Sequence, residues 1–159
     1  MLQRVMLAIL ALLLAGPALA AGGVVSAADP RAAAAGRDIL RAGGSATDAA
    51  IAMMLALNVV EPQSSGIGGG GFLIHAGRDG ATTIDGRETA PAGARPDRFL
   101  MPDGHKMAFM DAVPGGISVG IPGNICLAAM AHRHWGRLPW KRLSSPGGSM
   151  ITCFLMRRR

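Results

Sequence analysis

Apolar and polar positions divide this chain into short blocks, each closed by a glycine or proline signal. Asp29-Pro30 offers a helix cap with proline at the first helical position, and Gly43-Gly44 stops the chain one helix length later. The spacing therefore predicts a first helix over 30–42. A second helix follows at once, because Ser45-Ala46-Thr47-Asp48 has the Ser-x-x-acid order of a capping box. Along it Ala49, Met53 and Leu57, with Ala50, Met54 and Ala56, leave hardly any polar face. Such a helix is expected to be buried, or to need something that covers it.

Asn58 to Pro62 closes the second helix. The run Gly66-Ile67-Gly68-Gly69-Gly70-Gly71 then leads into Phe72-Leu73-Ile74-His75, which reads as a short strand. Ala81-Thr82-Thr83-Ile84-Asp85 reads as a second, joined to the first through Gly77-Arg78-Asp79-Gly80. The Asp-Gly step is a hairpin signal, so the two strands are expected to pair antiparallel. Residues 91–116 are rich in Pro, Gly, Asp and Met without periodicity and predict an extended surface segment with one short helix. Pro122 is expected to open a third helix running to Trp135, with Gly136 as its stop. Pro139-Trp140 starts another, cut short after about one turn by Ser144-Ser145-Pro146-Gly147-Gly148.

Composition narrows this picture. Half of the 159 residues are apolar, enough for one domain-sized core or for part of a larger one. Aromatics make up 4% and Tyr is absent, so core volume must come from aliphatic residues and ten Met. That favours close helix packing through small residues over aromatic anchors, and 23 Gly fit it. The formal net charge is +6, but Arg4 and the run Arg157-Arg158-Arg159 account for four of the cations, and the remainder is spread thinly among acids. This is not the concentrated basic face of a nucleic-acid binder.

Residues 1–20 have the order of an export signal. Gln3 and Arg4 form the polar start, Val5 to Ala15 an apolar run, and Ala18-Leu19-Ala20 a small-x-small cleavage site. The apolar run is well short of the roughly 20 residues that a spanning helix needs, so cleavage near Ala21, a periplasmic or secreted product and no membrane attachment afterwards are expected. Two cysteines, Cys126 and Cys153, permit at most one disulfide. A fold with so few staples relies on core burial, which implies that the intended protein is larger than this chain.

Several residue groups invite a chemical reading. The glycine run satisfies G-x-G-x-x-G, with Asp85 about where a ribose-binding acid is sought, but the context is inverted: the dinucleotide fingerprint needs a strand before the glycines and a helix after them. Close backbone packing or a tight bend is the better account. His132 and His134 are two apart on a helix and point to different faces, so they read as surface or interface histidines rather than metal ligands. His75 and His105 have no neighbouring ligand in sequence. In Asp85-Gly86-Arg87-Glu88-Thr89-Ala90-Pro91 an arginine sits between two acids just after a strand. It can grip a carboxylate through two parallel N–H bonds while the acids hold its guanidinium, or simply pair with Asp85 or Glu88.

These segments, in this order, resemble the start of the gamma-glutamyltranspeptidase family. The resemblance is carried by Ala35-Gly36-Arg37-Asp38-Ile39-Leu40-Arg41-Ala42-Gly43-Gly44, Asp48-Ala49-Ala50-Ile51-Ala52, the run from Asn58 to Phe72, and Asp85 to Pro91. It continues through Gly115-Gly116, Val119-Gly120-Ile121-Pro122-Gly123 and His132 to Trp140, so that it spans about 23–143.

The resemblance implies an α/β (α+β) class, the large-subunit start of an N-terminal-nucleophile hydrolase, whose complete fold is a four-layer αββα sandwich. It implies a precursor that cuts itself into a large and a small subunit, after which the new N-terminal Thr attacks the gamma-glutamyl amide of glutathione or a similar donor. The acyl-enzyme then passes to water or to an acceptor amino acid or peptide. No cofactor or metal is implied. In the family, the Arg of the motif matched by Asp85-Gly86-Arg87-Glu88 binds the α-carboxylate of the glutamyl group, which makes Arg87 the substrate-binding residue and Glu88 its support. No catalytic residue is expected within these 159 residues, since the nucleophile and the serine pair that shares the carboxylate lie further on in the family and Ser64-Ser65 is not that pair. The chain is expected to comprise a signal over 1–20, the large-subunit portion over 21–143 and a frameshifted or otherwise aberrant tail over 144–159. The alternative is a non-catalytic exported module with a weak carboxylate site around Arg87.

Overall fold

The computed structural model describes residues 23–144. The export signal, Cys153 and all of the tail except Ser144 lie outside the described residues. Within them are five α-helices and one two-stranded sheet: α1 (Pro30–Arg41), α2 (Ala46–Val60), β1 (Gly71–Gly77), β2 (Gly80–Gly86), α3 (Phe109–Ala112), α4 (Asn124–Trp135) and α5 (Trp140–Leu143). A single 3-10 turn covers Gly116–Ser118.

The helix ends follow from local chemistry. Asp29 caps α1, its Oδ1 accepting the Arg31 N–H at 2.7 Å, with Pro30 at the first position. The far end closes with two reciprocal bonds, Gly43 N–H to the Leu40 carbonyl and Gly44 N–H to that of Ile39. This Schellman motif needs the left-handed φ of +86° that Gly43 adopts. Ser45 then starts α2 with both halves of the capping box in place: the Asp48 N–H donates to Ser45 Oγ at 3.0 Å, and the Ser45 N–H donates to Asp48 Oδ2 at 2.9 Å.

Small residues set the helix packing, as composition implied. Ala32 and Ala35 of α1 meet Ala56 of α2 in one buried cluster. A second gathers Ile39, Ala49, Ile51, Ala52, Ala128 and Leu143, and so joins α1, α2, α4 and α5. A third sets Ile84 of β2 against Leu127 and Ala131, with Leu73 and Trp135 at its edge. Helix α4 therefore stands between the helical pair and the hairpin. His75 of β1 stacks on Trp135 with centroids 4.2 Å apart and shares a 3.2 Å hydrogen bond with Thr47 Oγ1 of α2.

The strands pair antiparallel with Leu73 opposite Ile84 and Gly77 opposite Gly80. The hairpin is where Asp-Gly put it, but the positive φ falls on Gly80 alone (+115°), and no other residue type among those described takes a positive φ. Arg78 and Asp79 thus lack the positive φ that the mirror-image turn most common in two-residue loops requires at both positions. Two further expectations are modified. Helix α4 begins at Asn124, after Pro122, because the N–H groups of Gly123 and Asn124 both donate to the Gly69 carbonyl at 3.0 Å. Residues 91–116 carry more order than their composition implied: besides α3, Leu100 and Lys106 form an antiparallel bridge, closed by a bond from Met101 N–H to the His105 carbonyl.

Asp48 is fully buried, and its Oδ2 accepts three backbone N–H groups: Ser45, Arg137 at 2.9 Å and Leu138 at 3.1 Å. His132 Nε2 lies 2.8 Å from the Leu138 carbonyl, which can only accept, so Nε2 carries the proton. It also stands 3.8 Å from Asp48 Oδ1. Burial alone pushes the Asp48 carboxyl up, but the amides of Ser45, Arg137 and Leu138 outweigh burial and hold it below its ordinary 3.8. A carboxyl lowered in the folded state stabilises above its unfolded pKa, and that contribution disappears as pH falls through the folded value. Asp48→Ala is expected to cost at least about 2 kcal/mol, since it orphans three buried donors. Thermal melts from pH 7 down to pH 2 are expected to show a loss of stability below about pH 4 that is shallower in Asp48→Asn. An unchanged melt for Asp48→Ala at pH 7 would show that the contact is not structural.

Candidate functional site

Strand β2 ends at Gly86, and the next residues leave the sheet toward the long segment after it. Asp85 Oδ1 accepts the Arg87 N–H at 2.9 Å, a local turn that fixes the direction of departure. Thr89 then forms an antiparallel bridge with Ile121, the Ile121 N–H donating to the Thr89 carbonyl at 2.8 Å. This bridge lays residues 117–120 along residues 87–91. Turns at Pro91–Ala94 and Arg95–Arg98 fold the intervening chain back as a third wall. Together they enclose an open pocket of about 570 Å³, with apolar surface from Pro91, Phe99 and Val119 and polar groups from Arg87, Glu88 and Ser118.

Both sequence-designated residues thus line one concavity. The Arg87 side chain is 57% exposed, and its Nη1 lies 3.2 Å from Glu88 Oε2, whereas the Glu88 side chain is only 29% exposed. The contact is an ion pair rather than an aligned hydrogen bond, because Oε2 has no donor in good geometry. The pairing anticipated from the residues is therefore present with Glu88, while Asp85 serves the Arg87 backbone. Pairing and ligand binding are compatible: a guanidinium has five N–H donors, and an exposed one braced on a single side keeps the others for a carboxylate.

The glycine run packs beneath this pair. A side chain at Gly70 would come within 2.7 Å of both Glu88 N and Glu88 Oε2, and one at Gly123 would collide with the Gly86 carbonyl. Asn124 ties the layer together, donating from Nδ2 to the Gly66 carbonyl at 2.7 Å. The G-x-G-x-x-G match is therefore a packing device, as its inverted context implied. Asn124 and the Thr89–Ile121 bridge carried no sequence signal, since each matters only through a partner distant along the chain, and the glycine run signalled close packing without naming Glu88 as its partner. His132 and His134 are not brought together for metal binding: His132 is part of the Asp48 contact and His134 is exposed. His105, read from the sequence as having no neighbouring ligand, does have one: Asp103, two residues upstream, lies 3.3 Å from its Nδ1, although the two alone make no metal site. Among the described residues no group of three metal-ligating side chains occurs, and no helix is long and apolar enough to cross a membrane.

A family model of gamma-glutamyltranspeptidase matches residues 32–151. The chain belongs to the gamma-glutamyltranspeptidase family. It is 47% identical over 126 residues to a glutathione hydrolase proenzyme of Bacillus subtilis strain 168, covering 78% of this chain and 22% of that protein. Among solved structures, a gamma-glutamyltranspeptidase from Pseudomonas nitroreducens, complexed with L-DON, superposes with a TM-score of 0.73. The two are 34% identical, and the match covers 79% of this chain and 37% of that one. The Helicobacter pylori gamma-glutamyltranspeptidase matches equally well, with a TM-score of 0.73 at 32% identity over 78% of this chain and 36% of its own. The chain thus spans about a fifth of the length of the curated relative, and its mixed helix-and-strand fold is part of the gamma-glutamyltranspeptidase fold.

The packing under Glu88 gives a direct test. Gly70→Ala is expected to lower stability by about 1–3 kcal/mol, the usual cost of overpacking a tight contact. The exposed Gly93, with open space where a side chain would go, is the control, and Gly93→Ala is expected to leave the melting midpoint unchanged. Equal midpoints for the two variants would show that Gly70 does not support Glu88 by contact.

Proposed function

We propose that this chain forms the N-terminal part of the large subunit of an exported gamma-glutamyltransferase or glutathione hydrolase, in which Arg87 grips the α-carboxylate of the gamma-glutamyl donor and Glu88 holds the guanidinium in place. The observation that carries the reading is that Arg87 is the exposed arginine of the family motif, braced on one side and facing a pocket of ligand size. The family relationship supplies the reaction class, and the pocket supplies a reason for this residue.

In this reading the donor enters with its α-carboxylate on Arg87 and its gamma-amide toward a nucleophilic Thr borne by the small subunit. The Thr hydroxyl adds to the amide carbonyl while its own amine takes the proton. The C–N bond breaks, the leaving amine receives that proton, and a glutamyl ester remains. Water then releases glutamate, or the amine of an acceptor amino acid or peptide forms a new gamma-glutamyl bond. Arg87 touches none of the bonds that change. Its contribution is orientation, which turns a freely tumbling donor into one with its amide at a fixed place. In this reading the residues around Arg87 bind the donor without cleaving it, because the nucleophile belongs to the small subunit, and export would place the protein in the periplasm or outside the cell.

Titration of the 159-residue chain with L-glutamine, followed by calorimetry, tests the assignment. Arg87→Gln is expected to weaken binding by roughly 10- to 100-fold, the range for losing a charge-assisted pair, with an unchanged melting midpoint because the side chain is exposed. 4-Aminobutanamide, which lacks only the α-carboxylate, should bind both proteins equally poorly. If Arg87→Gln binds L-glutamine as the parent chain does, the carboxylate is held elsewhere.

A further inference from the structure

The same pocket holds more positive charge than one α-carboxylate needs. Arg87, Arg95 and Arg98 all line it, and Glu88 is the only carboxylate among the lining residues. Two of the three cations are already matched. Arg87 pairs with Glu88, and Arg95 pairs with Asp97 through Nε to Oδ1 at 3.2 Å. Arg98 is different. It is half-buried, and among the described residues no ion pair involves it. Its one polar side-chain contact is a long one, Nη2 to the Gly116 carbonyl at 3.5 Å.

That contact has a physical consequence. A carbonyl can orient a guanidinium without neutralising it, so Arg98 is held against the wall next to the 3-10 turn with its charge intact. Pro91, Phe99 and Val119 add apolar surface to the lining beside it. A half-buried cation beside apolar surface, with donors free, is favourably completed by an anion. Arg87 and Arg98 stand on different walls of one cavity of about 570 Å³, a volume that suits a ligand of dipeptide size.

We propose that Arg98 forms a second carboxylate subsite in the Arg87 pocket, so that the site selects gamma-glutamyl donors whose amine portion carries its own carboxylate, gamma-glutamyl amino acids and peptides, over gamma-glutamyl amides of uncharged amines. The proposal rests on the reading of Arg87 given above. The donor's glutamyl end is held by Arg87 and its far carboxylate by Arg98. Arg98 is a specificity residue, since it touches the part of the donor that leaves, and it has no role in making or breaking the amide.

Calorimetric titration of the full chain with gamma-glutamylglycine and with gamma-glutamylethylamide separates the two ideas. The parent chain is expected to bind gamma-glutamylglycine about tenfold more tightly, the effect of one charge-assisted contact at a partly solvated site. Arg98→Gln should erase that preference and leave the affinity for gamma-glutamylethylamide unchanged, while Arg98→Lys should retain part of it. Melting midpoints of both variants report whether the half-buried position still folds, and Arg98→Lys gives the answer if Arg98→Gln does not. If gamma-glutamylethylamide binds in an Arg87-dependent way but the preference survives in both Arg98 variants, the second subsite is wrong and the first stands. If the parent chain binds neither compound, both assignments fall.

Discussion

A single buried carboxylate sets the geometry of the described residues. Asp48 completes the cap of α2 and, with the same oxygen, accepts the amides of Arg137 and Leu138 after α4 has ended. A local device for starting a helix is thereby turned into a long-range tie. The exit of α4 can lie only where two consecutive N–H groups reach Oδ2, and that puts Leu143 of α5 back onto Ile51 and Ile39. Burying a charge is unfavourable on its own, and three backbone donors on one oxygen are what make it tolerable. His132 closes the arrangement from the side of α4 by holding the Leu138 carbonyl.

The pocket is a second-order product of that tie. Once α4 is fixed against α2, its first residues sit over the glycine run, where Gly123 and Asn124 share the Gly69 carbonyl. The same approach presses the start of α4 onto the end of β2 and leaves Glu88 lodged against Gly70. Arg87 is exposed because its neighbour is not: one of two adjacent acid and base side chains is held in the packing, and the other is left at the surface of the cavity. Exposure of a charged residue is usually uninformative, but here it is the outcome of a specific contact underneath.

Much of this was legible in the sequence where the cause is local. Asp29-Pro30, Ser45 to Asp48 and Gly43-Gly44 carry their own capping partners within a few residues, and the helix boundaries followed. The hairpin was legible for the same reason, although not which residue would take the positive φ. The start of α4 was misplaced because its first N–H groups answer to Gly69, far upstream, and no periodicity records such a partner. The candidate site divides in the same way. Arg87 and Glu88 stand out within one motif, whereas the wall facing them depends on the bridge between Thr89 and Ile121, and Arg98 acquires meaning only when that wall folds over it.

The two-residue loop at the hairpin tip has a reach beyond its own turn. Side chains alternate across a sheet, so slipping the pairing by one residue would exchange the inward Leu73 and Ile84 with the outward Phe72 and Asp85. The strand end would move with it and carry Arg87 away from the cavity. Arg78 and Asp79, with Gly80 at the head of β2, therefore act as a ruler laid from the solvent-exposed tip to the binding residue, and a change in loop length there would be felt at the mouth of the pocket.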